Sequence, residues 1–127
     1  MPNPLVLIVD DDFAITDLLE GVLKSVGYDT VVASDGEQAL EILGKGRLPV
    51  LVLLDLMLPK KNGLIVLESM RREERTKKIP VLVISARDAV SDVDKAFETG
   101  ATEFLIKPLR AERLLAKIRK HLEGGPK

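Results

Sequence analysis

Short apolar runs that alternate with helix-period segments constrain this chain more than any other feature. The runs are Leu5–Val9, Tyr28–Ala33, Val50–Leu54, Val81–Ile84 and Phe104–Ile106, and most are apolar throughout. Continuous apolarity is the mark of parallel strands covered on both faces. Between the first two runs, Ile15, Leu18, Leu19, Val22, Leu23 and Val26 form one helical stripe. Leu40 and Leu43 mark a second helix, and Leu64, Leu67 and Met70 a third. Val90, Val93 and Phe97 mark a fourth, and Leu114, Leu115, Ile118 and Leu122 a fifth. Ser34-Asp35-Gly36-Glu37 predicts a capping box opening the second helix. Gly27 and Gly100 stand where the first and fourth helices should end. Five β/α units in 127 residues imply an α/β sandwich with helices on both faces and right-handed crossovers. One domain is expected over residues 1–123, with residues 124–127 a tail or the start of a linker.

Composition narrows the function. With only four aromatics, Phe13, Tyr28, Phe97 and Phe104, the core must be built from Leu, Val and Ile. Cysteine is absent and His121 is the sole histidine, which removes disulfides, thiol catalysis and histidine-rich metal sites. Nineteen basic residues against twenty acidic ones give a net charge of −1, which argues against a nucleic-acid surface over the whole domain. No apolar run approaches the roughly 20 residues of a membrane span. Met1-Pro2-Asn3-Pro4 lacks the basic start of a secretory leader. The expectation is a soluble, cytoplasmic domain.

The chemistry lies at the strand ends. In an open parallel sheet, ligands bind outside the carboxyl ends of the strands, near the point where strand order reverses. There the sequence places Asp10-Asp11-Asp12, Asp55, Ser85 and Lys107 after the first, third, fourth and fifth runs. Taken singly, these are ordinary turn or capping residues. Asp55 is harder to read that way, because it lies between Leu51–Leu54 and Leu56-Met57-Leu58. A carboxylate so flanked is desolvated unless a cation or donors balance it. Carboxylates without histidine or thiol favour a hard divalent cation, Mg²⁺ first, with Mn²⁺ as a substitute. A hydroxyl and a lysine beside such an ion suit a phosphoryl group, and Asp55 would be the nucleophile that receives it.

At these residues the sequence resembles the receiver domain of two-component response regulators. The resemblance rests on Ile8-Val-Asp-Asp11, Leu54-Asp-Leu-Met-Leu-Pro-Lys-Lys-Asn-Gly63, Ile84-Ser-Ala86 and Phe104-Leu-Ile-Lys-Pro108, in that order. It implies a doubly wound, flavodoxin-like three-layer sandwich with strand order 2-1-3-4-5 and five helices. It further implies that Asp55 accepts phosphate from the phosphohistidine of a sensor histidine kinase or phosphotransfer protein. Asp11, Asp55 and the Met57 backbone carbonyl would hold Mg²⁺, with Asp10 acting mainly through metal-bound water. Ser85 and Lys107 would contact the phosphoryl group, the Lys107–Pro108 peptide bond would be cis, and Phe104 would be the switch aromatic. A surface made by the fourth helix, fifth strand and fifth helix would carry the output, through a homodimer, a partner or an output domain. The domain itself would catalyse only its own phosphorylation and dephosphorylation.

Several residues depart from the family pattern. Met57 and Arg87 flank the phosphoryl position without a carboxylate or amide to orient water, which implies slow self-dephosphorylation. Asn62 stands where relatives often carry Asp, Arg110 replaces a better cap of the fifth helix, and Asp12 is read as the cap of the first. The charged run Arg71–Lys78 is read as a solvated helix end and loop. Two other readings compete: an aspartate-nucleophile phosphatase using Asp10 and Asp12, and a receiver-like module that never needs phosphate.

Overall fold

The computed structural model describes residues 3–58, 62–86 and 90–122; the expected tail, residues 124–127, lies outside them. The chain runs β1 (Leu5–Val9), α1 (Phe13–Ser25), β2 (Asp29–Ala33), α2 (Gly36–Gly44), β3 (Leu51–Asp55), α3 (Gly63–Arg72), β4 (Val81–Ser85), α4 (Val90–Thr99), β5 (Glu103–Ile106) and α5 (Ala111–Leu122). Every strand pair is parallel and the order is β2-β1-β3-β4-β5. The fold class expected from the resemblance is therefore the one observed. Among the described residues, no helix is long and apolar enough to cross a membrane.

Alternate residues of the central strands feed two cores, which is why those strands are apolar on both faces. Leu7, Val9, Val52 and Leu54 pack with Ala39, Leu43, Val66, Leu67, Met70 and Ala96, so α2, α3 and α4 cover one face. Val6, Ile8, Leu51 and Leu53 pack with Leu19, Leu23, Leu114 and Ile118, so α1 and α5 cover the other. At about 25 cal/mol per Å² of apolar surface removed from water, these two layers supply the main favourable term in folding.

Three local expectations change. The buried stripe of α1 is narrower than its apolar spacing: Thr16, Leu19 and Leu23 are buried, whereas Leu18 and Val26 are exposed. Thr16 can be buried because its hydroxyl donates to the Phe13 carbonyl of its own helix. On α4 Ala96 is buried, and Phe97 is about half exposed. The cap of α2 also falls one residue later than Ser34. Asp35 is the N-cap and accepts from the Gln38 N–H at 2.8 Å, while the Gln38 side chain takes up the Ser34 N–H at 2.9 Å. Asp12 does cap α1, accepting from the Ala14 N–H at 3.0 Å.

The charged run after α3 is more than a solvated loop. Arg71 is partly buried and donates from Nε to the Gly100 carbonyl at 2.9 Å and from Nη1 to the Ile79 and Lys77 carbonyls at 2.8 and 3.1 Å. Arg75 donates to the Leu43 carbonyl at 3.1 Å and to that of Gly46. Thr76 is buried, its hydroxyl on the Met70 carbonyl at 2.8 Å. Gly100 has φ +121°, and a Cβ there would lie 2.7 Å from the Arg71 side chain. Glycine at that position thus ends α4 and makes room for the guanidinium that ties α4, α3 and the approach to β4 together. Arg71→Ala should destabilise the domain by about 2 kcal/mol, because it strands carbonyls that a charged donor now serves. Arg71→Lys should recover little, since an ammonium lacks the fork. Urea unfolding midpoints of the two variants check both expectations.

Candidate functional site

Strand register builds the site. Val9 pairs with Leu54, so Asp10 comes level with Asp55 across the β1–β3 boundary. Asp55 pairs with Ile84, and Ser85 with Ile106, so Lys107 leaves β5 beside them. The sheet order reverses at β1, which places the crevice for a ligand between the ends of β1 and β3. Asp10, Asp55 and Ser85 are all buried there, whereas Asp11 is exposed at the rim.

One ammonium bridges two of the carboxylates. Lys107 Nζ lies 2.9 Å from Asp10 Oδ2 and 3.0 Å from Asp55 Oδ2. The remaining oxygens are held by backbone: Asp10 Oδ1 accepts from the Asp12 N–H and Asp55 Oδ1 from the Met57 N–H, both at 2.9 Å. One oxygen from each of Asp10, Asp11 and Asp55 lies within 4.8 Å of the others. This is an all-oxygen donor set of the kind a hard divalent cation takes. Three carboxylates against one lysine leave two net negative charges when all are ionised, and such an ion would neutralise them.

The electrostatics fit that arrangement. Burial is the largest influence on Asp55 and raises its carboxyl above the ordinary value. The Met57 N–H and Lys107 work against the rise, and the Asp10 charge adds to it. Burial also opposes the charge of Lys107, but its bonds to Asp10 and Asp55 prevail and hold the ammonium above its usual value. The pocket therefore holds a carboxylate that is costly to ionise until further positive charge arrives.

Met57 and Pro108 flank this cluster. Met57 is 56% exposed and, with Leu56, Leu58, Asn62, Leu64, Ser85 and Asp92, lines a pocket of about 420 Å³ beside the acidic cluster. The Lys107–Pro108 peptide bond is cis, and the Lys107 N–H donates to the Ser85 carbonyl at 2.8 Å. Phe104 is half-buried against the core under α2, α3 and α4. Arg87 lies outside the described residues. Asp12 is spent on capping α1, so the Asp10–Asp12 pair of the phosphatase reading is not assembled.

One residue of the site stands inside the third-strand motif with no role that the sequence assigns to it. Gly63 opens α3 directly against the end of β3, and a Cβ on it would meet the Asp55 carbonyl oxygen at 2.4 Å and Leu56 Cα at 2.7 Å. Its N–H donates to the Leu56 carbonyl at 3.1 Å, while Asn62 caps α3 by accepting from the Ile65 N–H at 3.1 Å. The Asn-Gly pair ahead of the Leu64 stripe was the available signal. It reads as a turn, and only the tertiary approach of two backbones shows why glycine is needed.

Five β/α units in this order, with a lysine-bridged acidic crevice at the switch point, define the class of doubly wound receivers. The chain belongs to the response regulator receiver domain family, whose model matches residues 6–119. It is 43% identical over 116 residues to the DNA-binding dual master transcriptional regulator RpaA of Synechocystis sp., covering 91% of this chain and 48% of that protein. It is 41% identical over 114 residues to the transcriptional regulatory protein CpxR of Escherichia coli, covering 90% and 47%. The chain thus spans about half the length of the curated relatives it matches. A putative response regulator from Chloroflexus aurantiacus superposes with TM-score 0.89 at 33% identity, covering 97% of this chain and 99% of that one. The chemotaxis protein CheY4 of Vibrio cholerae gives 0.88 at 28%, covering 94% and 99%. The family implies phosphorylation-dependent signalling by this domain.

The raised carboxyl of Asp55 has a stability consequence. Its folded-state proton affinity exceeds the unfolded one, so the domain loses stability as pH rises from the ordinary Asp range through the folded value. Metal-free Asp55→Asn should therefore melt above the parent at pH 7, with the gap closing as pH falls below the ordinary Asp range. Calorimetry across that range in the presence of a chelator checks it.

Proposed function

We propose that this receiver, taken as residues 1–123, is a switch thrown by transfer of a phosphoryl group onto Asp55. The observation that carries the proposal is the single lysine lying 2.9 and 3.0 Å from the buried Asp10 and Asp55, with Asp11 completing an oxygen cluster. In the transfer an Asp55 carboxylate oxygen forms the new O–P bond, and the N–P bond of a donor phosphohistidine breaks. The donor is a sensor histidine kinase or phosphotransfer protein. A carboxylate is already a nucleophile at neutral pH, so no general base is needed. Asp11, Asp55 and the Met57 carbonyl would hold Mg²⁺, or Mn²⁺ in its place, with Asp10 reaching it through water. The ion supplies positive charge to the transferring phosphoryl oxygens. Lys107 stands ready to pair with the arriving group, and the Ser85 hydroxyl to donate to it. The reaction modifies the domain itself, so the domain acts on no substrate other than its own aspartyl phosphate.

The output reading rests on the far side of the same strands. Phe104 packs on the α4 side of the sheet, where a shift of Ser85 on the neighbouring strand would be felt. On the α4–β5–α5 face, Phe97 and Ile106 each remain 46% exposed. Burial works against the charge of Glu103, but His121, Lys117 and Lys120 outweigh it and hold the carboxyl below its usual value. This cluster ties β5 to α5 and makes the face one unit. The face then engages a second copy, a partner or an attached output domain. Any DNA contact belongs to that output, and the domain works in the cytoplasm without touching the membrane.

Incubation with a small phosphodonor and Mg²⁺ should add one phosphoryl group in the parent and none in Asp55→Asn, read by intact mass. Absence of an Asp55-dependent gain would sink the reading. Mg²⁺ alone should raise the parent melting temperature with saturation, and Asp55→Asn should respond far less.

Hydrolysis of the aspartyl phosphate should be slow, because Met57 flanks it with a thioether that orients no water. Met57→Asn should shorten the phosphoryl lifetime severalfold, as followed by the decay of the mass gain after donor removal.

A further inference from the structure

We propose that Met57 is an oxidation site through which a peroxide shortens the lifetime of the Asp55 phosphoryl group. The inference rests on the reading of Asp55 as the phosphoacceptor and concerns how that site is regulated. Met57 is 56% exposed, whereas Met70 is buried at 1%, so among the described residues a solvent-borne oxidant meets the Met57 sulfur first. The residue is also fixed against the reacting carboxylate, its N–H donating to Asp55 Oδ1 at 2.9 Å. It lines the pocket of about 420 Å³ that Ser85 borders from the neighbouring strand β4. A change at this sulfur is therefore made on the flank of the phosphoryl position.

The chemistry is a two-electron oxidation. A sulfur lone pair attacks one oxygen of hydrogen peroxide, the O–O bond breaks and an S–O bond forms. The departing oxygen takes a proton and leaves as water, so the thioether is oxidised to the sulfoxide as the peroxide is reduced. The product replaces a soft apolar group with a strong hydrogen-bond acceptor. With Leu56, Leu58 and Leu64, the reduced side chain forms the apolar part of this pocket, whose polar part is Asn62, Ser85 and Asp92. The sulfoxide oxygen instead accepts a hydrogen bond from water and holds it where it can attack phosphorus. Oxidation in this way converts a long-lived signal into a short-lived one without altering the nucleophile, the lysine or the carboxylate cluster.

The test treats the folded domain with hydrogen peroxide, quenches it, and locates the added oxygen by peptide mass spectrometry. Parent and Met57→Leu proteins, treated and untreated, are then loaded from a small phosphodonor with Mg²⁺, and the decay of the phosphoryl group is timed. Met57 should be oxidised well ahead of Met70. The phosphoryl half-life of the treated parent should fall by about threefold or more, and treatment should leave that of Met57→Leu where it was. Oxidation of Met57 no earlier than Met70 overturns the proposal. So does an unchanged or lengthened half-life in the oxidised parent, or an equal shortening in Met57→Leu. Failure of treated and untreated parent alike to take up phosphate overturns the phosphoacceptor reading instead, and this inference with it.

Discussion

The rest of the structure is arranged around a repulsion: three carboxylates gathered at one edge of a sheet, two of them buried, with one lysine between. Buried carboxylates cost several kcal/mol each unless donors and opposite charge surround them. Here the Lys107 ammonium and the N–H groups of Asp12 and Met57 meet that need in part. The shortfall shows in Asp55, whose charge the fold disfavours. A domain that keeps such a cluster has a site whose energy drops sharply when further positive charge arrives. That is the physical basis for a switch in this position.

The scaffold around the cluster is correspondingly rigid. Two apolar layers cover the sheet, and the central strands have no polar face. Close packing of this kind deforms poorly, so movement must fall at the strand ends and on the less buried elements. Arg71 fixes the far end of α4 to α3 and to the approach of β4, whereas Phe97 and Ile106 on the α4–β5–α5 face remain half open. The end of α4 remote from the acidic crevice is thus the anchored one. Gly63 serves the opposite edge, where it lets α3 begin against the backbone of Asp55 and Leu56.

Much of this was legible in the sequence. Continuous apolar strands, helical stripes and glycine stops gave five β/α units, and reading the residue after each strand gave Asp10, Asp11, Asp55, Ser85 and Lys107. The differences share a cause. Leu18, Val26 and Phe97 keep a helical period, but a helix on a sheet buries only the arc that faces it, and neighbouring helices set that arc. The charged run Arg71–Lys78 suggests an outward segment because charge prefers water. Yet a guanidinium can be half-buried where it serves several backbone carbonyls at once, and some of those, Gly100 for Arg71 and Leu43 and Gly46 for Arg75, come from segments distant in sequence.

By itself, then, the sequence determined the strand and helix count, the chemical types at each strand end and, through four motifs in order, the family. These follow from periodicity and local composition, which a linear string carries completely. Only the tertiary structure decided that one lysine bridges Asp10 and Asp55, that Gly63 is obligatory and that Arg71 is a clasp. Each depends on strand register or on the approach of backbones that local sequence does not bring together, and such distances are set by how whole layers pack.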